Sequence, residues 1–325
     1  MKRIMSVFLC VMTLGMSAIA SAAQKNDLPD WQDPHVLQKN RMPMSSYFET
    51  DGLKQTLNGT WDFCWYETID SRSMDFYKTD FDASGWDTMP VPGLWEMNGY
   101  GDPVYKNVGY AWDGHYKSNP PYPAPWHNFA GQYRRTFVLD EQWTGKDIYL
   151  HIGSATSNVR VWVNGKEVGY SEDSKLEARF DITKYVQTGE NLIALEIFRW
   201  CDGSYLEDQD MFRFSGIFRD VALWSRPKSG IADFAVSQTF AADYTKVEVK
   251  VDVSTYGAAK MVEGTLYDAQ FKEVANSKTK PAALSSQLST LNFQLSSPQL
   301  WSAEKPYLYT LVLKCGEDIR AKRIG

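Results

Sequence analysis

The sequence predicts an all-β fold of two consecutive sandwiches, and three observations predict it. Short segments of period-two alternation recur along the chain, turn residues bound them, and helical periodicity is scarce. The 325 residues suit two domains at about 150 residues each. With 43% hydrophobic and 23% charged residues, the chain lies near the globular average, which excludes disordered and collagen-like classes. Its 12 Trp, 18 Tyr and 16 Phe can fill large cores and also present flat apolar faces to a ligand.

The elements follow in order. Lys2 and Arg3 precede an apolar run over 4–15 and small residues over 18–23, the pattern of a secretory leader spanning 1–23. This predicts an exported chain, periplasmic or extracellular. No later apolar run approaches the roughly 20 residues of a membrane helix, so no membrane partner is expected. An irregular arm, 24–50, carries Asp30 and Asp33. The first sandwich is expected over 51–227, with strands at 61–66, 132–139, 148–152, 192–198 and 217–224. Its clearest element is 159–163, then Asn164-Gly165, then 166–170, because Asn and Gly accept the positive φ of a type I′ hairpin turn. A boundary falls at Arg226-Pro227-Lys228-Ser229-Gly230. Beyond it aromatics thin out, and strands at 234–240, 246–253, 264–268, 291–295 and 309–313 make a second sandwich of immunoglobulin-like size over 228–325. The sequence stops at 320–325 in what reads as mid-strand, as a piece of a longer protein would. Cys10 leaves with the leader. Cys64, Cys201 and Cys315 are widely spaced and odd in number, which favours buried free thiols over a disulfide framework.

Candidate chemistry concentrates in 202–220, which holds Asp202, Glu207, Asp208, Asp210 and Asp220 with Arg213, Arg219 and several aromatics. Such a segment can ligate a hard cation, or bind sugar hydroxyls while a ring stacks on the sugar's apolar face. It can equally be a salt-bridge network in which Arg213 and Arg219 hold a loop shut. Glu207 and Asp210 could meet the roughly 5–5.5 Å spacing of a retaining glycosidase pair. His35, His115, His127 and His151 are scattered without metal-ligand spacing, and no phosphate-binding glycine loop or G-x-S-x-G elbow occurs. Pro120 to Trp126 reads as a stiff structural loop, and Asn107 alone says nothing. The net charge of −6 argues against nucleic acid and anionic membrane surfaces.

The run RWCDGSYLEDQDMFRFSGIFRDV, 199–221, resembles the sugar-binding domain of glycoside hydrolase family 2 β-galactosidases of the large bacterial lactase type. DWQDPHVLQKNR, LNGTWDF, VPGLWEMNGYGDPVYKNVGY, NPP, VWVNGKEVGYSEDSK, FDIT and LWSAEKPYLY support it in the same order, so the likeness runs from about residue 30 to the end. The resemblance implies a jelly-roll sandwich, an immunoglobulin-like sandwich and then a catalytic (β/α) barrel. That barrel would carry both catalytic glutamates and their Mg²⁺, which leaves no catalytic residue in this chain and an inactive fragment. It implies that Asn107 reaches into the galactose pocket and that Asp210 contacts galactose hydroxyls and ligates Na⁺. It also implies a peripheral divalent cation on Asp30, Asp33, Glu172 and Asp202, with Asp33 and Glu172 standing where amides are expected. The implied activity is retaining hydrolysis of terminal β-D-galactosides by a homo-oligomer whose contacts involve the arm. A stand-alone carbohydrate-binding module, a β-glucuronidase or β-mannosidase of the same family, and an oligomerisation module are the alternatives.

Overall fold

A computed structural model describes residues 28–45, 52–259, 261–281 and 288–325. The expected leader, and 24–27 and 46–50 of the arm, lie outside the described residues. The chain is all-β. Among the described residues the first sandwich sets a seven-stranded sheet against a four-stranded one. The larger sheet runs Gln38–Lys39, Lys166–Glu172, Asn158–Val163, Gly189–Phe198, Ala130–Leu139, Gly59–Tyr66 and Asp87–Val91, all neighbours antiparallel. The smaller runs Ala178–Asp181, Asp147–Ile152, Val221–Arg226 and Lys54–Thr56.

Their facing side chains make one core around Trp61, Phe63, Trp95, Tyr133, Leu150 and Phe180. Asn164 and Gly165 take φ of 50° and 76°, so the expected hairpin turn forms between its two strands. Pro90 lies in Asp87–Val91 at the edge of the large sheet, where a missing N–H leaves no ladder bond unmade.

The second sandwich packs Gly230–Phe240, Lys246–Tyr256 and Ser289–Ser296 against Glu273–Thr279, Val262–Tyr267, Tyr309–Cys315 and Asp318–Ile324. Val247, Val249, Val251 and Val253 alternate inward along one strand, the period the sequence displays. Residues 320–325 fall in the last strand and just beyond it, paired with Tyr309–Cys315 along the strand's whole length.

Two readings need correction. The stretch 217–224 is not one strand. Gly216–Ile217 pairs with Ala155–Thr156, whereas Val221–Arg226 pairs with Asp147–Ile152. Between them Phe218 N–H bonds Ser154 O at 3.1 Å, and Arg219 bonds the carbonyls of Gly153 and Lys175, which redirects the chain from one sheet to another. The thiols are free, but only Cys201 and Cys315 are buried; Cys64 is partly exposed.

The sandwiches meet at a buried ionic joint. Asp318 Oδ2 accepts from Ile231 N–H at 2.8 Å and from Arg320 Nη2 at 3.2 Å, Arg320 Nε forms an ion pair with Asp318 Oδ1 at 3.0 Å, and Arg226 and Arg320 both donate to Ile231 O. The joint therefore fixes both backbone groups of the residue that begins the second core.

Candidate sugar and cation sites

Asn107 and Asp210 come together at the end of a two-stranded ribbon. Val104–Lys106 pairs antiparallel with Met211–Arg213, Lys106 opposite Met211, so the next position outward sets Asn107 across from Asp210. Both residues are exposed. Tyr105 O–H donates to Asp210 Oδ1 at 2.6 Å, and that hydrogen bond raises the phenol's pKa. The Tyr105 and Phe212 rings lie 5.3 Å apart and are 55% and 58% exposed, flat apolar area beside a carboxylate and an amide. An amide donates and accepts, a carboxylate accepts, and exposed rings stack on sugar faces. This end of the ribbon can therefore bind a polyol, and its carboxylate can take an oxygen-liganded cation such as Na⁺.

The remaining acids of the segment hold the loop. Arg213, itself buried, donates to Asp208 Oδ1 at 2.7 Å and to the carbonyls of Glu207 and Gln209. The Glu207 carboxylate accepts Ser174 N–H at 3.0 Å and the Ser174 hydroxyl. Asp220 accepts from Asn58 Nδ2 at 2.9 Å. Glu207 thus holds the turn after Lys166–Glu172 through Ser174, while Asp210 sits at the end of the ribbon. Tyr205 O–H accepts Asn119 N–H at 3.1 Å, tying the 202–213 segment to the proline-rich loop.

Of the four residues expected to share a peripheral cation, Glu172 and Asp202 adjoin, and the charge of Asp33 reaches Asp202. Asp30 is taken by cations of the chain: Oδ1 accepts Lys39 Nζ at 2.7 Å and Oδ2 accepts Arg160 Nη2. Burial pushes its carboxyl up, but Lys39 and Arg160 outweigh this and hold it below the usual value. Asp33 is buried and accepts His35 N–H at 3.0 Å. Glu172, at the end of Lys166–Glu172, and Asp202, opening the 3₁₀ turn Asp202–Tyr205, are 5% exposed and adjoin Cys201. Desolvation, then the nearby Asp202, pushes Glu172 up to about 9; desolvation also raises Asp202. Tyr170 O–H satisfies Glu172 Oε1 at 2.7 Å. The protonated Glu172 carboxyl shares a side-chain hydrogen bond with Asp202, and Cys201 bonds Glu172 as well. Deprotonated, the two carboxylates offer the oxygen ligands that a divalent cation takes. Sequence reasoning missed Cys201 and Tyr170 here; the adjacency of Cys201 to Asp202 is the signal that pointed to the first.

The family described as "Glycosyl hydrolases family 2, sugar binding domain" matches residues 54–227, and "Glycosyl hydrolases family 2" matches 229–325. A curated β-galactosidase of Priestia megaterium is 39% identical over 314 residues, 90% of this chain and 30% of that protein. One of Vibrio cholerae is 37% identical over 305 residues, covering 87% and 29%. The chain thus spans about a third of the length of the curated relatives it matches. Among solved structures, a β-glucuronidase of Bifidobacterium dentium complexed with coumarin-3-O-glucuronide superposes with TM-score 0.67 at 18% identity, over 87% of this chain and 50% of that one. A Ruminococcus gnavus β-glucuronidase superposes at 0.65 with 20% identity, over 87% and 47%. At that identity the structures share the fold.

Proposed function

The chain belongs to glycosyl hydrolase family 2, and from that premise we propose that it is the amino-terminal part of an exported β-galactosidase. The whole enzyme would hydrolyse terminal, non-reducing β-D-galactosides with retention. Bond breaking would fall to a barrel beyond this chain, with its own Mg²⁺, so 24–325 alone would be inactive. The observation that carries the reading is the juxtaposition of Asn107 and Asp210 at one ribbon end beside exposed Tyr105 and Phe212. The curated relatives support galactose as the sugar, since those at 39% and 37% identity are β-galactosidases.

In this reading the amide and the carboxylate fix galactose hydroxyls, and Asp210 also ligates Na⁺. Tyr105 holds that carboxylate by its hydrogen bond. Positioning of this kind has a large leverage on rate, because a displacement of about 1 Å at a reacting centre can cost about 10²-fold. The leader would direct export, and the arm would contribute to contacts in a homo-oligomer. The test is Asp210→Asn in the full-length enzyme. Galactoside turnover and its response to Na⁺ are expected to fall together, turnover by about 10²-fold. Unchanged kinetics with unchanged salt dependence would overturn the assignment.

A further inference from the structure

We infer that Glu96 and Arg213 are positioning residues for the sugar site: they set where Asn107 and Asp210 stand, though neither lies at the ribbon's tip. The inference rests on the sugar-site reading above and deepens it.

The ribbon does not hold itself. It is a two-stranded sheet of three residue pairs, joined to no third strand among the described residues, and its Tyr105 and Phe212 rings are more than half exposed. A lone pair of strands is at best marginally stable in water. Its tip is therefore placed only as well as its root.

Glu96 carries the register into that root. Gly216 and Ile217 pair with Leu94 and Gly93, and Trp95 N–H still reaches Ser215 O at 3.0 Å. The 3₁₀ turn Glu96–Asn98 then takes the backbone away, and pairing resumes only where Val104 meets Arg213. Across the gap the Glu96 carboxylate stands in for a ladder carbonyl: Oε2 accepts Ser215 N–H at 2.9 Å. Glu96 is 8% exposed and Ser215 1%, so the bond is made away from bulk water. A buried N–H left unpaired is costly, which keeps that bond closed.

Arg213 winds the other approach. It ends the strand Met211–Arg213, and its side chain folds back on residues 207–209. Nη1 donates to Glu207 O at 2.8 Å, and Nη2 donates to Asp208 Oδ1 at 2.7 Å and to Gln209 O. The last of these carbonyls belongs to the peptide group that leads into Asp210. A planar guanidinium presents its N–H groups in a fixed fork, so three acceptors on one fork define one turn geometry. An ammonium, a point charge with rotating donors, does not impose that geometry. Tyr105 then orients the Asp210 carboxylate, while Arg213 fixes the backbone that carries it.

The test uses the full-length enzyme and a chromogenic galactoside, with Na⁺ varied and folding followed by circular dichroism. Glu96→Ala and Arg213→Lys should each lower kcat by about 10-fold or more, since a displacement of about 1 Å can cost about 10²-fold. Each should also raise the half-activating Na⁺ concentration, which a merely structural role in a folded enzyme would leave in place. Glu96→Gln keeps an acceptor for Ser215 N–H and should restore both values to within about 2-fold of the parent. In the Asp210→Asn background, Arg213→Lys should cost less than about 2-fold more, because residues that act through one group are not additive. Losses that multiply, an unmoved half-activating Na⁺ concentration, or Glu96→Gln as poor as Glu96→Ala would each overturn the inference. Should Arg213→Lys fail to fold, the comparison of Glu96→Ala with Glu96→Gln decides it alone. The sugar-site reading fails separately, when Asp210→Asn itself leaves turnover and Na⁺ response unchanged.

Discussion

In the first sandwich Trp61, Phe63, Trp95, Tyr133 and Phe137 share one core, whereas the second is filled by Val247, Val249, Val251, Val253, Leu291, Leu311 and Leu313 around Phe293. The polar interiors differ in the same sense. The first buries Glu96, Gln132, Arg134, Glu172, Glu196, Arg199, Asp202 and Arg213, while the buried charges of the second, among the described residues, are Asp318 and Arg320 at the joint. Indole and phenol edges carry donors that have to be met inside, and at the centre of the core two are: Trp61 Nε1 donates to Leu57 O at 2.8 Å and Trp95 Nε1 to the Tyr133 hydroxyl. A core that already manages polar edges can also carry polar residues out to a rim. The ribbon and the Glu172–Cys201–Asp202 cluster both sit on that first sandwich. The second reads as a strut whose alternation is spent on packing.

Core truncations test this contrast most strongly. Trp95→Ala should cost about 3–5 kcal/mol for the lost volume, and about 1–3 more for the Tyr133 hydroxyl left without its donor. Leu313→Ala in the second core should cost about 2–5 kcal/mol, with no polar surcharge. Urea unfolding of both variants checks the order; equal losses would erase the distinction between the cores. Asp318→Ala comes next, at about 3–5 kcal/mol, because it strips the carboxylate that faces buried Arg320 and holds Ile231 N–H. If the joint couples the sandwiches, this variant should also split one unfolding transition into two. Eleven of the 12 tryptophans precede residue 226 and Trp301 follows it, so tryptophan emission follows mainly the first sandwich and circular dichroism follows both. A single transition displaced by less than about 1 kcal/mol, the worth of a surface pair, would make the joint incidental.

The sequence disclosed the second sandwich more fully than the first. Val247 to Val253 face inward at every other position, and period two is legible wherever one sheet face is buried. Glu273–Thr279 escaped notice because its half-buried positions, Ala275, Ser277 and Thr279, are small or polar, so the alternation of its faces leaves no apolar period in the sequence. In the first sandwich the Asn164-Gly165 turn was equally plain, since only a few residue types accept its φ. Lys54–Thr56 and Ala178–Asp181 were too short to display a period. The site was legible only as composition. Nothing local says that Asn107 stands across from Asp210, because that depends on a ribbon pairing two distant segments. Nor could spacing tell that Asp30 is engaged by Lys39 and Arg160 while Asp202 faces Glu172. The resemblance carried Asn107 and Asp210 by motif, and the pairing supplies the physical reason for their company.

The smallest expected effect concerns pH, and it too separates the two regions, since His35, His115, His127 and His151 all precede the joint. His115 and His127 stack with ring centroids 3.5 Å apart and planes 19° from parallel, at the two ends of the stretch that carries the proline-rich loop. Burial lowers the His127 pKa, and the charges of His115 and Arg199 lower it further, while Asp102 pulls weakly the other way. Burial also lowers His151, against the opposing pull of Glu177. The unfolded chain therefore takes up these protons first as the medium acidifies. Stability is full above the unfolded histidine value of about 6.5 and is lost as pH falls through the folded values. Thermal unfolding of the parent chain should accordingly weaken between about pH 7 and pH 5.5, above the range in which ordinary exposed carboxylates titrate. His127→Gln should remove part of that slope, and His127→Gln with His151→Gln nearly all of it. If the single variant keeps the parent's slope, the stacked imidazoles do not oppose protonation. If the double variant keeps it, the acid sensitivity belongs to groups shared by both sandwiches, and the contrast between them does not extend to pH.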